Sequence, residues 1–206
     1  MRASGSWVVG GYGRALRTAA VGAACLVASA AAASAGGTIT GKVEATPAKY
    51  LDETVVYLKG EIGHPAPKTA ELDQKAKTFI PHVLAVTAGD TVEFLNHDTI
   101  AHNVYSPDNE TYNLGVFKPG EKRTYTFKSA GVYTQLCSIH PEMLGYIFVG
   151  ENEYSAVVGK DGRFTINDIP PGSYTIAVWN SHLKAVAKKV TVSEGKSAVV
   201  DFSIKR

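Results

Sequence analysis

Sulfur is scarce in this 206-residue chain: Cys25 and Cys137 are its cysteines, Met1 and Met143 its methionines. A disulfide-stapled scaffold is thereby excluded. Beyond residue 35 no lysine or arginine run exceeds two residues, so neither nucleic acid nor an anionic membrane is indicated as a partner. There is no stretch of about 20 strongly apolar residues, which excludes a stable transmembrane helix. Nor is there a long amphipathic segment of helical period.

The first 35 residues carry Arg2, Arg14 and Arg17 and no acid, then a short alanine-rich apolar run that ends in Ala33-Ser34-Ala35. This pattern predicts a cleavable export signal over residues 1–35 and a periplasmic location. Cys25 as a lipid-attachment site is the alternative, but Gly22-Ala23-Ala24 supplies no large aliphatic residue before it. Without the segment, 18 basic residues face 19 acidic ones, so the basic character of the whole chain belongs to the signal. Cys137 is then a lone thiol in an oxidising compartment. Metal ligation gives such a thiol a reason, and burial as a small apolar side chain is the other reading.

From Gly37 onward, short β-type runs alternate with Gly, Pro, Asn and Asp turns, which predicts an all-β chain built of sandwiches. Strands are expected at Thr38–Val43, Thr54–Leu58, His82–Val86, Thr91–Leu95, Lys122–Phe127, Val132–Leu136 and Tyr146–Val149. The polar stretch Glu61–Lys77 is long for a hairpin loop, and a short helix is expected over Thr69–Lys77. After residue 153 the alternation is cleaner, with strands expected at Tyr154–Val158, Arg163–Ile166, Ser173–Trp179, Ala185–Val192 and Ala198–Ile204. The expected segments are therefore leading strands over 36–60, one sandwich over 78–150 and a second over 154–206.

Cys137-Ser-Ile-His140-Pro-Glu-Met143, with His102 upstream, offers one thiolate, two imidazoles and one thioether. Soft sulfur and borderline imidazole suit copper, and two His, one Cys and a long axial Met make an electron-transfer copper site. Met143 as core filler is the alternative for that residue. His97 is a rival ligand by proximity, while His64, His82 and His182 are scattered and expected on the solvated surface, as is Trp179.

Three segments carry a family resemblance. They are Ala88-Gly89-Asp90-Thr91-Val92-Glu93-Phe94 with Asn96, then His102-Asn103-Val104, then Gly131-Val132-Tyr133 leading to Cys137, His140, Met143 and Gly145. From Pro81 to Gly150 the chain resembles the cupredoxins, the plastocyanin and amicyanin family of blue-copper proteins, and its Cys-x₂-His-x₂-Met spacing is similar to that of amicyanin. The resemblance implies one copper ion cycling Cu(II) and Cu(I), with His102, Cys137 and His140 as equatorial ligands and Met143 as the axial one. It implies that Asn103 ties the two ligand loops together beside the sulfur. Gln135 departs from the pattern, where plastocyanins carry an aromatic residue.

Gly162–Ile166 and Ile169–Ile176 resemble carboxypeptidase regulatory-like domains, transthyretin-type sandwiches without catalysis. Gly37–Val43 and Thr54–Leu58 resemble that domain's first strands, which would make the copper domain an insertion. The rival placement gives Thr54–Leu58 to the cupredoxin. The whole resembles exported plastocyanin-like proteins of the methylamine utilisation type. The implied function is a non-enzymatic single-electron carrier that docks a redox partner, such as a cytochrome or copper enzyme, near His140. Copper delivery or storage is the alternative, against which the scarcity of methionine counts, and a structural binding module is a third.

Overall fold

The computed structural model describes residues 36–63 and 65–206, with Gly5 and Gly10 as isolated points. The expected export segment, Cys25 and His64 lie outside the described residues. Strand β1 (Gly37–Thr46) is followed by a 3₁₀ turn (Ala48–Glu53), β2 (Thr54–Leu58), β3 (Thr69–Lys75), β4 (Thr78–Ile80), β5 (Val83–Thr87) and β6 (Thr91–Asn96). Next come β7 (His102–Ser106), β8 (Tyr112–Phe117), β9 (Lys122–Thr126), β10 (Gly131–Leu136) and β11 (Leu144–Gly150). The chain ends with β12 (Ser155–Val157), β13 (Arg163–Ile169), β14 (Gly172–Asn180), β15 (Val186–Val192), β16 (Ser197–Val199) and β17 (Phe202–Lys205). Among the described residues no helix is long and apolar enough to cross a membrane.

Four sheets result: β13-β1-β16 with β17 also on β1, β12-β2-β14-β15, β5-β11-β10-β7-β8, and β4-β3-β6-β9. Two of them are covered on both faces. In β2, Val56 and Leu58 join the core shared with β1, while Val55 and Tyr57 turn toward Val83, Phe148 and Trp179. In β11, Ile147 and Val149 join the core with β3 and β6, while Tyr146 and Phe148 face back toward β2. Side chains alternate across a strand, so burial on both faces demands the unbroken apolar runs Val55–Leu58 and Tyr146–Val149. The described residues from 36 onward accordingly form four sheets with three apolar seams. Trp179, expected on the surface, is instead half-buried in the middle seam, 5.6 Å from the Tyr146 ring and 6.2 Å from Phe148.

Strand β2 pairs with β12 and β14, and β1 pairs with β13, β16 and β17. Residues 69–150 thus sit between β2 and β12 of the other sandwich. The two crossings are tied by Asn152, whose Nδ2 donates to the carbonyls of Leu58 (2.9 Å) and Gly60 (2.6 Å). Gly60 N–H in turn donates to Glu151 Oε2 at 2.6 Å.

The helix expected over Thr69–Lys77 is absent. Those residues form β3, paired in parallel register with β6 from Thr69↔Thr91 to Gln74↔Asn96. Ala, Glu, Leu, Gln and Lys favour helix locally, but Leu72 and Gln74 are buried while Glu71 and Lys75 stay exposed, and this alternation suits only a strand.

Candidate metal centre

β10 and β7 are antiparallel neighbours, with Leu136 opposite Tyr105. The end of one therefore lies beside the start of the other, which brings Cys137, the residue after β10, against His102 and Asn103, the first residues of β7. His102, Cys137 and His140 present ligand atoms that all lie within 4.8 Å of one another. His102 Nδ1 is 3.0 Å from His140 Nδ1, and Cys137 Sγ is 3.8 Å from the same nitrogen. Donors around one ion with bonds of about 2.0–2.3 Å stand roughly 3–4 Å apart, so the set fits a single soft-to-borderline ion. His102 is fully buried and Cys137 is 3% exposed, whereas His140 is half-exposed.

Two devices shape the upstream loop. Asn96, buried at the end of β6, donates through Nδ2 to the carbonyls of Ile100 (3.0 Å) and Phe117 (3.1 Å) and accepts from Asp98 N–H at 3.0 Å. Asp98 then faces His102 Nε2 at 2.9 Å. Backbone N–H of Lys77, the His102 ring and backbone N–H of Thr99 all donate to the Asp98 carboxylate and hold its pKa well below the usual carboxylate range. An ionised Asp98 requires the Nε2–H tautomer of His102, which leaves the Nδ1 lone pair aimed at Cys137 and His140.

Asn103 works on the sulfur side. Its backbone N–H donates to Cys137 Sγ at 3.4 Å, its Oδ1 accepts from Ser138 N–H at 3.2 Å, and its Nδ2 donates to Asn113 Oδ1 at 2.8 Å. Met143 is 1% exposed and packs in the same core as Cys137. Its N–H closes the turn onto the His140 carbonyl at 3.0 Å. Ile139, just before His140, and Leu144, four residues after it, are 45% and 38% exposed, and Val116 is exposed opposite Asn103.

His97, the rival ligand, is exposed and turned to Asp73 Oδ2 at 3.1 Å, away from the three-residue set. His82 and His182, expected to be scattered, both reach Glu53. Gln135 is buried; its Oε1 accepts from Tyr112 O–H at 2.5 Å and its Nε2 donates to the Tyr133 carbonyl at 2.9 Å, so it fills its place in the core with satisfied polar atoms. Asp98 went unrecognised in the sequence, although an acid four residues before a candidate ligand histidine is a usable sign.

Residues 68–150 match the family model of copper binding proteins, plastocyanin/azurin family, and residues 147–205 match the carboxypeptidase regulatory-like domain. Among solved structures, a purple cupredoxin from Nitrosopumilus maritimus is 26% identical over 39% of this chain and 99% of its own, with a TM-score of 0.38. A copper-containing nitrite reductase from Thermus scotoductus is 31% identical over 45% of this chain, with a TM-score of 0.39, and this chain spans only 24% of that protein's length. A Cu(I) amicyanin variant is 26% identical over 39% of this chain and 81% of its own, with a TM-score of 0.38. The family models, rather than these superpositions, carry the assignment. The chain combines a copper-binding domain of the plastocyanin/azurin family with a carboxypeptidase regulatory-like domain.

Proposed function

We propose that the protein is an exported type 1 copper protein that carries single electrons between redox partners in the periplasm. In this reading His102, Cys137, His140 and Met143 would hold the copper ion. The observation that carries it is the convergence of two imidazole nitrogens and one thiol where the start of β7 meets the end of β10. Copper bound there supplies a one-electron couple between Cu(II) and Cu(I).

The chain's own part is to hold the donors still. Asp98 sets the tautomer of His102, Asn103 holds the two loops together at the sulfur, and the His140-to-Met143 turn keeps the downstream donors in register. Burial of His102, Cys137 and Met143 keeps water and substrates from the donor set, which favours electron transfer over bond-making chemistry. His140, partly exposed, is the electron exit, and a cytochrome or copper enzyme docking there would meet the exposed apolar side chains of Ile139 and Leu144 nearby in sequence.

The test is the visible spectrum and voltammetry of the copper-loaded protein. An intense thiolate-to-copper band in the red, lost in Cys137→Ser and accompanied by a reversible couple, is expected. Weak colour, or copper held only as Cu(I) and released readily to a chelator, would overturn the electron-carrier reading in favour of delivery or storage.

A further inference from the structure

Three residues with no part in the copper centre meet where the two sandwiches abut. Glu53 ends the 3₁₀ turn before β2, His182 follows β14, and His82 immediately precedes β5. His182 Nε2 lies 3.3 Å from Glu53 Oε2, and His82 Nε2 lies 3.8 Å from Glu53 Oε1. The Ser181 hydroxyl donates to Glu53 Oε2. The Tyr50 ring packs on His182 with centroids 4.0 Å apart, and Tyr146 meets His82 edge-on at 5.6 Å.

We propose that Glu53, His82 and His182 form a second metal site, for a divalent ion of the zinc class, that bridges the two sandwiches. Two imidazoles and a carboxylate are the N/O donor set that zinc takes in open sites, with water completing four-coordination. Donors around a tetrahedral ion with bonds of about 2.0–2.1 Å stand about 3.3 Å apart, the separation already present between His182 and Glu53. His82 addresses the other carboxylate oxygen at 3.8 Å, and the site requires its exposed ring to turn toward His182. The side chains of His82 and His182 are 39% and 40% exposed, which gives both an entry path and that freedom, while Glu53 is anchored at 16%. Ser181 and Tyr50 hold Glu53 and His182 as outer partners hold metal ligands. The donors come from both sandwiches, so the ion would lock the middle seam. This site stands independently of what the copper centre does.

The experiment is calorimetric titration of Zn²⁺ into protein whose His102–Cys137–His140 site has first been filled with copper. One further equivalent is expected, with the visible spectrum unchanged. His182→Ala and His82→Ala, both at partly exposed positions, should each weaken uptake tenfold or more, while His97→Ala leaves it unchanged. Zn²⁺ should also raise the melting temperature of the parent protein and not of the two variants, each confirmed as folded by circular dichroism. Absence of Zn²⁺ uptake by the copper-loaded parent, or uptake by both variants equal to the parent's, would overturn the proposal.

Discussion

Asn103 makes the surroundings of the Cys137 sulfur a joint property of two loops: its backbone donates to Sγ while its side chain spans from Ser138 N–H to Asn113. It is 2% exposed, so truncation removes two part-buried hydrogen bonds, to Ser138 and Asn113, each worth about 0.5–1.5 kcal/mol. Asn103→Ala should cost about 1–3 kcal/mol in denaturant unfolding; an unchanged midpoint would show the tie to be dispensable. Glu110, at Tyr125 and Tyr133, gives a pH-dependent case. Burial pushes its pKa up, but hydrogen bonds from Ser129, Tyr125 and the backbone N–H groups of Ser129 and Lys128 outweigh this and leave it lowered. Across the same contact Tyr133 is pushed up to about 12, first by burial and then by the Glu110 charge. A lowered folded pKa stabilises above the unfolded value, about 4.3, and the gain disappears as pH falls through the folded value. Glu110→Gln should therefore lose about 1 kcal/mol at pH 7, with the gap from the parent closing below about pH 4 in unfolding measured across pH. At this scale the sequence is legible where donors are near neighbours in one loop, as Cys137 and His140 are. Glu53 with His82 and His182 was illegible, because only the packing of two sandwiches brings the three together.

Strand β1 shows how an element can depend on a missing side chain. Its edge pairs with β16 through residues Thr38–Thr40 and with β17 through Val43–Thr46, and Val200 and Asp201 bridge the gap. Val200 N–H donates to the Thr40 carbonyl at 2.9 Å and Lys42 N–H to Asp201 Oδ1 at 2.8 Å, which draws the bridging backbone across Gly41. A Cβ on Gly41 would lie 1.9 Å from the Val200 carbonyl oxygen. Gly41→Ala should destabilise by about 3 kcal/mol, since the backbone of two paired strands must move; a melting temperature equal to the parent's would refute that account. The same bridge is why the single expected strand Ala198–Ile204 is two strands, β16 and β17. β6, built on strict alternation, and β2 and β14, dense in β-branched and aromatic residues, were readable from the sequence within one or two residues. β3 was not, because its composition favours helix and its pairing with β6 and β4 makes it extended. β8 was missed because Gly115, at a φ of 72°, and the irregular pairing with β7 break the period of two.

For the whole molecule, the order of sheets matters more than the order of residues. The apolar run Thr54–Leu58 suits either sandwich on pattern alone, since β2 is buried on both faces and carries no polar side to orient it. Its pairing with β12 and β14 makes the regulatory-like sandwich discontinuous in sequence. β1 lies between β13 and β16, and β2 between β12 and β14, so both of that sandwich's sheets depend on strands from before the copper domain. Residues 151–206 alone retain β12 to β17 but lose Ile39, Val43, Val56 and Leu58 from the core, each worth about 1.5–3 kcal/mol of burial. Together that is about 6–12 kcal/mol, comparable with the whole stability of about 5–15 kcal/mol that a domain possesses, and the backbone pairing of β1 and β2 is lost as well. The fragment 151–206 is expected to be unfolded by circular dichroism and amide dispersion in NMR. Joining residues 36–60 to 151–206 should restore a cooperative fold, because Gly60 and Asn152 already touch at 2.6 Å and a short connection can span them. It should be less stable than the intact chain, since Val55, Tyr57 and Trp179 lose the Phe148 seam. A fragment 151–206 that melts cooperatively by itself would show that β1 and β2 are accessories, and the interleaving of the two sandwiches would then be a matter of docking rather than of folding.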